Sequence, residues 1–254
     1  MTADDLGEPF NPTARPKRVV SLVPSTTEAV ALAAPELLVG VTDYCTHPPG
    51  LDAERVGGSK YPKLDRVLAL RPDVVLVNAE ENRLADAEAL RAAGIAVWTS
   101  FPRTVPEALT SAARMFEHAL RLPVPTWVGE AAELWREPPP ARARAVVPIW
   151  RRPWMVLGAG TFAGDVLRRL GVVNVFEDAS DHPYPKATVE EMLALAPDIA
   201  VLPDEPYAFT ADDGPDAFGD LPCALVSGRH LTWHGPSLIE AHGLLLRQLT
   251  AVVT

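Results

Sequence analysis

The chain contains 254 residues, which corresponds to one large domain or two small ones at about 100–200 residues per domain. Hydrophobic residues make up 48% and charged residues 22%, a composition that excludes a disordered chain. With 23 basic and 33 acidic residues the net charge is −10, which disfavours binding to nucleic acid or to an anionic membrane surface. No apolar run reaches the roughly 18 residues that span a bilayer.

The beginning of the chain is acidic and rich in proline. Residues 1–17 show no periodicity and are predicted to form a flexible N-terminal arm. They also lack the apolar core of a signal peptide, so a cytoplasmic location is expected, and an extracytoplasmic one only if a leader was removed. The two cysteines, Cys45 and Cys223, are too few for a disulfide framework and are expected to be small buried side chains.

From residue 18 onward, short β-branched segments alternate with helical patterns, which is typical of a parallel sheet. In the first half, strands are predicted at Val19–Val23, Leu38–Thr42, Val74–Val77 and Ala96–Ser100. Helices are predicted at Ser25–Ala34 and Leu84–Ala93. Ser25 and Glu28 match the S-x-x-E pattern of a capping box at the first of these helices.

The second half repeats this alternation. Its predicted strands are Ala145–Trp150, Val172–Phe176, Ile199–Leu202 and Ala224–Ser227, and its predicted helices are Phe162–Leu170, Val189–Ala196 and Pro236–Val252. Residues 67–80 (VLALRPDVVLVNAE) align with residues 192–205 (MLALAPDIAVLPDE) at an offset of 125. A repeated supersecondary unit of this kind indicates two similar halves.

These patterns predict an α/β protein of two lobes, each with a central four-stranded parallel sheet flanked by helices, joined by a connecting backbone helix. The predicted boundaries are 18–103 for the N-terminal lobe, 104–141 for the helical connector and 142–254 for the C-terminal lobe. Parallel strands direct their carboxyl ends and following loops toward one region, so we expect a ligand held between the lobes.

Aromatic side chains are concentrated in the segments that follow the predicted strands. They are Tyr44, Phe101, Trp150, Trp154, Tyr184, Tyr207, Phe209 and Trp233, and the loop after the first strand adds Pro24 and Ser25. Rigid rings hold a flat, partly apolar ligand at low entropic cost, which predicts a binding site for such a ligand. The alternative is that these rings cover loop surfaces and the interface between the lobes.

The histidines are candidates for metal binding. His47, His182, His230 and His234 lie in candidate loops where one could ligate a metal already carried by a chelate, but no metal-site spacing occurs. No hydrolytic or P-loop pattern is present, so no catalytic residue, metal site or cofactor is predicted and the chain is expected not to be an enzyme.

One alternative is a nucleotide-dependent oxidoreductase. Gly158–Ala163 has the form G-x-G-x-x-A, and Glu177 lies near the spacing of a ribose-binding acid. The apolar run before the glycines is short, and few residues follow for the rest of a dinucleotide domain, so this hypothesis is disfavoured.

Two acidic residues occupy equivalent positions in the repeat. Glu80 and Glu205 lie 125 residues apart, each just after a predicted strand. A pair of acids related by pseudo-symmetry fits a two-fold partner carrying Arg or Lys, and the alternative is ordinary solubilising charge.

Several motifs together resemble a known family. They are RVVSLVPSTTE (18–28), GVTDYCTHPP (40–49), VGG (56–58), LxLxPDVVLV (68–77), GxxTFxxDVLRRLGxxNVF (158–176), YPKATVEEMLALAPD (184–198) and DEPYAF (204–209). Over nearly all of residues 17–254 the chain resembles the periplasmic binding proteins of iron–siderophore and cobalamin ABC transporters, the helical-backbone metal receptors, with the vitamin B12 branch most similar.

The resemblance implies a non-enzymatic transport protein. Its ligand would be a cobalamin-like corrinoid or another metal chelate, held by aromatic and backbone contacts between two lobes. It also implies a glutamate on each lobe that docks onto arginines of an ABC permease, matched here by Glu80 or Glu81 and by Glu205. The alternative within this class is a cytosolic carrier or sensor of haem or a ferric siderophore.

Overall fold

The computed structural model describes residues 2–10 and 14–252, which divide into two compact units. The first unit is made of Met1–Pro102, Glu107–Gly129 and His234–Pro236. The second unit is made of Arg103–Pro106, Glu130–Trp233 and Ser237–Thr254. Residues of the expected connector, 104–141, are found in both units.

The first unit is built on a five-stranded parallel sheet. Its elements in chain order are the strands β1 (Thr2–Ala3), β2 (Pro9–Phe10), β3 (Val19–Ser21), β4 (Leu38–Val41), β5 (Glu54–Arg55), β6 (Val74–Asn78) and β7 (Ala96–Ser100), and the helices α1 (Pro24–Ala33), α2 (Leu64–Ala69) and α3 (Leu84–Ala92). The sheet order is β5-β4-β3-β6-β7. Consecutive strand residues, such as Val74 and Val75, enter separate apolar cores on the two faces, because side chains alternate along a strand.

The sequence analysis expected four strands in this sheet, and the fifth is the edge strand β5. Its two residues, Glu54 and Arg55, are exposed and carry no apolar pattern. Arg55 donates to the carbonyl oxygens of Thr42 at 2.7 Å and of Cys45 at 2.9 Å. An edge strand held by backbone pairing and one long side chain leaves no periodicity in the sequence.

The next helical segment packs on the core of the first unit. It begins as α4 (Val105–Arg114) and continues through π-helical turns at Met115–Leu120, whose side chains Met115 and Phe116 are buried in that core. It ends at Arg121, which has a positive φ of 52°. A second helix, α5 (Thr126–Leu134), follows after a short segment that contains Pro123 and Pro125.

The second unit is built on a four-stranded parallel sheet. Its elements are β8 (Ala143–Val146), β9 (Pro148–Arg151), β10 (Trp154–Val156), β11 (Val172–Asn174), β12 (Ile199–Pro203) and β13 (Cys223–Val226), with the helices α6 (Phe162–Arg169), α7 (Val189–Ala194), α8 (Gly228–Thr232) and α9 (Leu238–Thr250). The order β11-β8-β12-β13 matches β4-β3-β6-β7 of the first sheet. The predicted α/β fold with parallel sheets flanked by helices is confirmed.

One predicted strand is divided in two. The expected strand Ala145–Trp150 ends in the sheet at Val146, and Pro148–Arg151 instead pairs antiparallel with β10 in a separate hairpin. Apolar residues continue through the break, so the pattern alone joins the two strands.

The repeat seen in the sequence is also a structural repeat. Asp73 accepts the backbone N–H of Arg18 at 2.9 Å, and Asp198 accepts the backbone N–H of Arg144 at 2.7 Å. Each arginine side chain also donates to a backbone carbonyl at the end of the helix that precedes the aspartate, α2 in the first unit and α7 in the second. The same contacts therefore begin a pair of adjacent strands in both units.

The N-terminal residues are bound to the first unit, which differs from the flexible arm predicted over residues 1–17. The strands β1 and β2 form a hairpin, and Asp5 accepts the backbone N–H of Phe101 at 3.0 Å. The same carboxylate accepts a short hydrogen bond from the Ser111 hydroxyl and lies 2.6 Å from Arg114 Nη1. The acidic, proline-rich composition predicted a flexible arm. The carboxylate of Asp5 instead accepts hydrogen bonds from residues that are distant in the sequence.

Asp5→Asn is expected to destabilise the protein by roughly 1–3 kcal/mol, because a charged acceptor of three hydrogen bonds is lost and Arg114 keeps no carboxylate partner there. Urea unfolding measures the free energy. The control is Glu8→Gln, an exposed acid of the same hairpin, for which we expect a change within about 0.5 kcal/mol. Equal effects of the two substitutions would contradict the assigned role of Asp5.

Candidate functional site

The predicted ligand-binding residues are distributed over both units. In the first unit, Pro24 and Ser25 open α1 directly after β3, Tyr44 follows β4, and Phe101 follows β7. In the second unit, Tyr207 follows β12 and Trp233 follows α8. Trp150 and Trp154 were expected in a loop after a parallel strand, but they lie on the hairpin strands β9 and β10.

Ser25 takes part in a buried hydrogen-bond network in the first unit. The capping box predicted for Ser25 and Glu28 does not form, because α1 begins one residue earlier, at Pro24. Ser25 Oγ instead lies 3.4 Å from Nδ1 of His234, and Nε2 of His234 lies 3.3 Å from Nδ2 of Asn78. A Cβ on Gly235 would lie 2.7 Å from the carbonyl oxygen of Ser25, so the backbone at residue 235 needs glycine to approach α1.

The orientation of Asn78 determines the tautomer of His234. Asn78 Oδ1 accepts the backbone N–H groups of Glu80 at 2.8 Å and Glu81 at 3.2 Å, so its amide nitrogen faces the histidine. An amide nitrogen only donates, hence His234 Nε2 accepts and Nδ1 carries the proton toward Ser25. In this tautomer Nδ1 cannot take a proton from the Ser25 hydroxyl.

Burial lowers the pKa of His234 to about 4, because the charged imidazolium loses its hydration there, although the charge of Asp5 opposes the shift. The histidine is therefore neutral at neutral pH. His234 was a candidate metal ligand in the sequence, whereas Asn78 was not among the predicted site residues. The Asn-Ala-Glu-Glu-Asn run directly after a buried strand was the signal available in the sequence.

The stability of the protein is expected to fall between pH 6.5 and pH 4. The unfolded chain protonates His234 below its ordinary pKa of 6.5, while the folded chain resists protonation down to about 4, which corresponds to roughly 3 kcal/mol at most. In His234→Gln this part of the acid dependence should disappear. Urea unfolding at several pH values measures it, with the exposed His118→Gln as a control that keeps the full dependence.

The remaining candidates of the first unit differ in exposure. Tyr44 is 65% exposed, and its ring lies beside Gly58. Phe101 is partly buried, and Pro24 is buried at the first turn of α1. Tyr44 thus presents a free ring surface in this unit, whereas Pro24 and Ser25 shape the backbone and polar surroundings of α1.

The second unit contains a continuous aromatic cluster. We use this name for the rings of Trp150, Trp154, Tyr207, Phe209 and Phe218. Trp150 lies 5.5 Å from Tyr207, and Tyr207 lies 4.7 Å from Phe209 between ring centroids. Trp154 stacks on Phe209 at 6.0 Å and meets Phe218 edge-on at 5.7 Å. Phe209 and Phe218 are buried, whereas Trp150 is 41% exposed, so the cluster runs from the core to the surface.

Two other predicted aromatics lie outside this cluster. The backbone N–H of Tyr184 donates to Nδ1 of His182 at 3.1 Å, in a segment between β11 and α7. The guanidinium of Arg229 lies over the ring of Trp233 at 5.3 Å. The sequence analysis missed Phe218 as a member of the cluster, since no motif distinguishes it from an ordinary core residue.

The acidic candidates occupy equivalent turns in the two units. Glu80 and Glu81 follow β6 in a turn held by Asn78, and Lys60 Nζ donates to the Glu80 carbonyl oxygen at 3.1 Å. Glu205 follows β12, and a Cβ on Gly228 would lie 2.7 Å from its backbone nitrogen and oxygen. The turn after β12 therefore requires glycine at position 228.

Glu205 has an unusual environment for a carboxylate near the surface. Burial raises the pKa of Glu205, and the neighbouring charge of Asp204 raises it further, while Trp233 and Arg229 act in the opposite direction. Its side chain is therefore partly withdrawn from water, which distinguishes it from an ordinary solubilising charge.

The dinucleotide hypothesis fails on the surroundings of the glycine segment. The strand before it, β10, belongs to an antiparallel hairpin, whereas dinucleotide binding requires a parallel strand leading into the helix. A Cβ on Gly158 would collide with the His182 carbonyl oxygen, so the chain itself covers this glycine. Glu177 accepts the backbone N–H of Gly160 at 3.3 Å and holds the turn, and Thr161 caps α6.

The other candidate histidines have partners within the protein. His47 Nδ1 lies 3.0 Å from the Thr46 hydroxyl, and His230 Nδ1 lies 2.8 Å from the Ser227 hydroxyl. Within residues 2–10 and 14–252, no group of three or more His, Cys, Asp or Glu side chains is arranged to hold a metal ion. Over the same residues, no helix combines the length and apolar character needed to cross a membrane.

Curated relatives and solved structures are similar to the chain. No family model matches it. It is 26% identical over 210 residues to the vitamin B12-binding protein of Vibrio cholerae, covering 78% of this chain and 73% of the relative. It is 27% identical over 197 residues to the vitamin B12-binding protein of Yersinia pestis, covering 73% and 69%.

Three solved structures share the fold over most of its length. The periplasmic vitamin B12-binding protein BtuF of Vibrio cholerae has a TM-score of 0.73 at 21% identity, covering 93% of this chain and 98% of that one. A periplasmic haem-binding protein from Pseudomonas aeruginosa has a TM-score of 0.76 at 23% identity, covering 94% and 93%. Helicobacter pylori CeuE has a TM-score of 0.78 at 14% identity, covering 97% and 87%.

The named vitamin B12-binding and haem-binding relatives and neighbours are binding proteins. The chain is similar to these binding proteins in sequence and in fold, as the sequence motifs implied. The expected cytoplasmic location was wrong, because solved neighbours with the same fold, the vitamin B12-binding protein BtuF and the haem-binding protein BhuT, are periplasmic. That expectation depended on the first residues alone.

Proposed function

We propose that this chain is the non-enzymatic substrate-binding component of an ABC transporter and that its ligand is a cobalamin-like corrinoid. The observation that carries the proposal is the aromatic cluster of the second unit, with Trp150 41% exposed at its surface end. A flat macrocycle packs against such rings with little loss of side-chain entropy. The similarity to vitamin B12-binding proteins over 78% of the chain supports the corrinoid over other flat ligands.

Haem is the second candidate ligand. The haem-binding protein from Pseudomonas aeruginosa and BhuT, solved with two haems, share the fold at TM-scores of 0.76 and 0.77. Haem presents a flat porphyrin face to the same kind of ring surface. A corrinoid and a haem differ in their absorption spectra, so direct titration separates the two candidates.

Binding of cyanocobalamin is expected to raise the melting temperature and to quench tryptophan fluorescence, because a ligand of the folded state stabilises it by mass action. Trp150→Ala and Tyr44→Ala should each weaken binding about tenfold, which equals roughly 1.4 kcal/mol. Tyr61→Ala is the matched control, since Tyr61 is 70% exposed and lies outside the predicted ligand residues. A response to haemin alone would replace the corrinoid by haem, and no response to either would contradict the function.

We further propose that Glu80, Glu81 and Glu205 dock the protein onto basic residues of its permease. Glu80 and Glu205 are equivalent in the structural repeat, and the partly buried carboxylate of Glu205 interacts with Trp233 through a hydrogen bond and with the charge of Arg229. Equivalent acids on two similar units suit a partner with two-fold symmetry. The protein needs no cofactor of its own for this role.

The double variant Glu80→Arg, Glu205→Arg is expected to bind cyanocobalamin with an affinity within about twofold of the wild-type value. It should no longer stimulate ATP hydrolysis by the cognate permease in liposomes, because the new arginines repel the basic residues of the permease. Reversal of Glu36 together with Glu88, which are exposed in the first unit, is the control and should keep stimulation. Full stimulation by the first variant would contradict docking through these residues.

A further inference from the structure

Arg151 joins two segments of the second unit that are distant in sequence. It lies at the end of β9, and its guanidinium binds Asp213 through a short contact and Asp216 Oδ2 at 2.5 Å. Both aspartates belong to the loop of residues 207–216 that follows β12. The arginine side chain is 13% exposed, whereas the side chains of Asp213 and Asp216 are 38% and 56% exposed, so the ion pairs lie at the surface with the arginine beneath them.

The same ion pairs are connected to the aromatic cluster. The Tyr207 hydroxyl donates to Asp213 Oδ2 at 2.6 Å, and the Arg151 guanidinium lies 5.5 Å from the ring centroid of Trp154. Trp150, the exposed member of the cluster, is the chain neighbour of Arg151 and packs on Tyr207. Arg151 therefore contacts both segments that supply the rings at the surface end of the cluster.

One of the acidic partners, Asp216, remains charged across the working range of pH. The hydrogen bond from Arg151 lowers the pKa of Asp216 to about 2, and the backbone N–H of Gly214 contributes to the shift. Gly214 has a φ of 136°, and a Cβ there would lie 2.7 Å from the ring of Phe209. The ion pairs with Arg151 and the close packing of Gly214 on Phe209 therefore hold this loop in one conformation.

We propose that Arg151 is a positioning residue for ligand binding: through Asp213 and Asp216 it holds the loop of residues 207–216 against the β9–β10 hairpin, so that Trp150 and Tyr207 form a preorganised platform for a flat macrocyclic ligand. The proposal rests on the proposed function. Preorganised rings bind more tightly because their ordering cost is met during folding and not during binding.

The experiment compares Arg151→Met and Arg151→Lys with the wild-type protein and with the control Arg152→Lys, the exposed neighbouring arginine. Methionine keeps the stem but binds neither aspartate, whereas lysine keeps a charge but cannot bridge both carboxylates as a forked guanidinium does. Near-ultraviolet circular dichroism and amide hydrogen exchange of residues 207–216 report the platform without ligand. Titration with cyanocobalamin and haemin reports binding, and thermal melting verifies the fold.

Arg151→Met should weaken binding about tenfold, reduce the aromatic dichroism and speed exchange in residues 207–216, with Arg151→Lys intermediate on all three measures. Weaker binding with unchanged dichroism and exchange would overturn positioning and assign Arg151 to direct ligand contact. Altered dichroism with unchanged affinity would also overturn it. If the wild-type protein binds neither probe, the proposed function fails and the inference fails with it.

Discussion

Burial of both faces of each parallel sheet is the constraint on which this structure depends. Strand residues such as Val75 and Val201 are fully buried, so the sheets leave little room for polar side chains along the strands. Polar and aromatic groups are therefore concentrated where strands end. Asn78 at the end of β6 orients both His234 and the turn that carries Glu80, and the turn after β12 carries Glu205 and leads to Tyr207.

The two units share the same strand arrangement but carry different side chains at the strand ends. Arg18 with Asp73 and Arg144 with Asp198 begin equivalent strands with the same hydrogen bonds. Beyond the strand ends the units diverge, because the first has a buried polar network around a neutral histidine and the second has five clustered rings. The same scaffold therefore carries different side chains at equivalent strand ends in the two units.

The elements with local signals could be predicted from the sequence. The β-branched runs and the repeat identified both sheets. The capping box predicted for Ser25 and Glu28 does not form on α1, whereas Thr188 and Glu191, which were not predicted, form one on α7. The sequence contained no local signal for β5, for the Ser25–His234 contact across 209 positions, or for Arg151 with Asp213 across 62. Such contacts depend on tertiary packing, which periodicity does not report.

Part of the acidic composition is explained by ion pairs within the protein. Several carboxylates are internal acceptors: Asp5 binds Arg114, Asp165 binds Arg169 at 2.7 Å, and Asp213 and Asp216 bind Arg151. Such paired acids contribute to structure but leave little charge available to a partner. Glu80 and Glu205 differ from these acids in their place, because each follows the end of a strand at an equivalent position of the repeat. Because Glu205 is already partly desolvated, its pairing with a basic partner would require less further loss of hydration than pairing of a fully exposed glutamate.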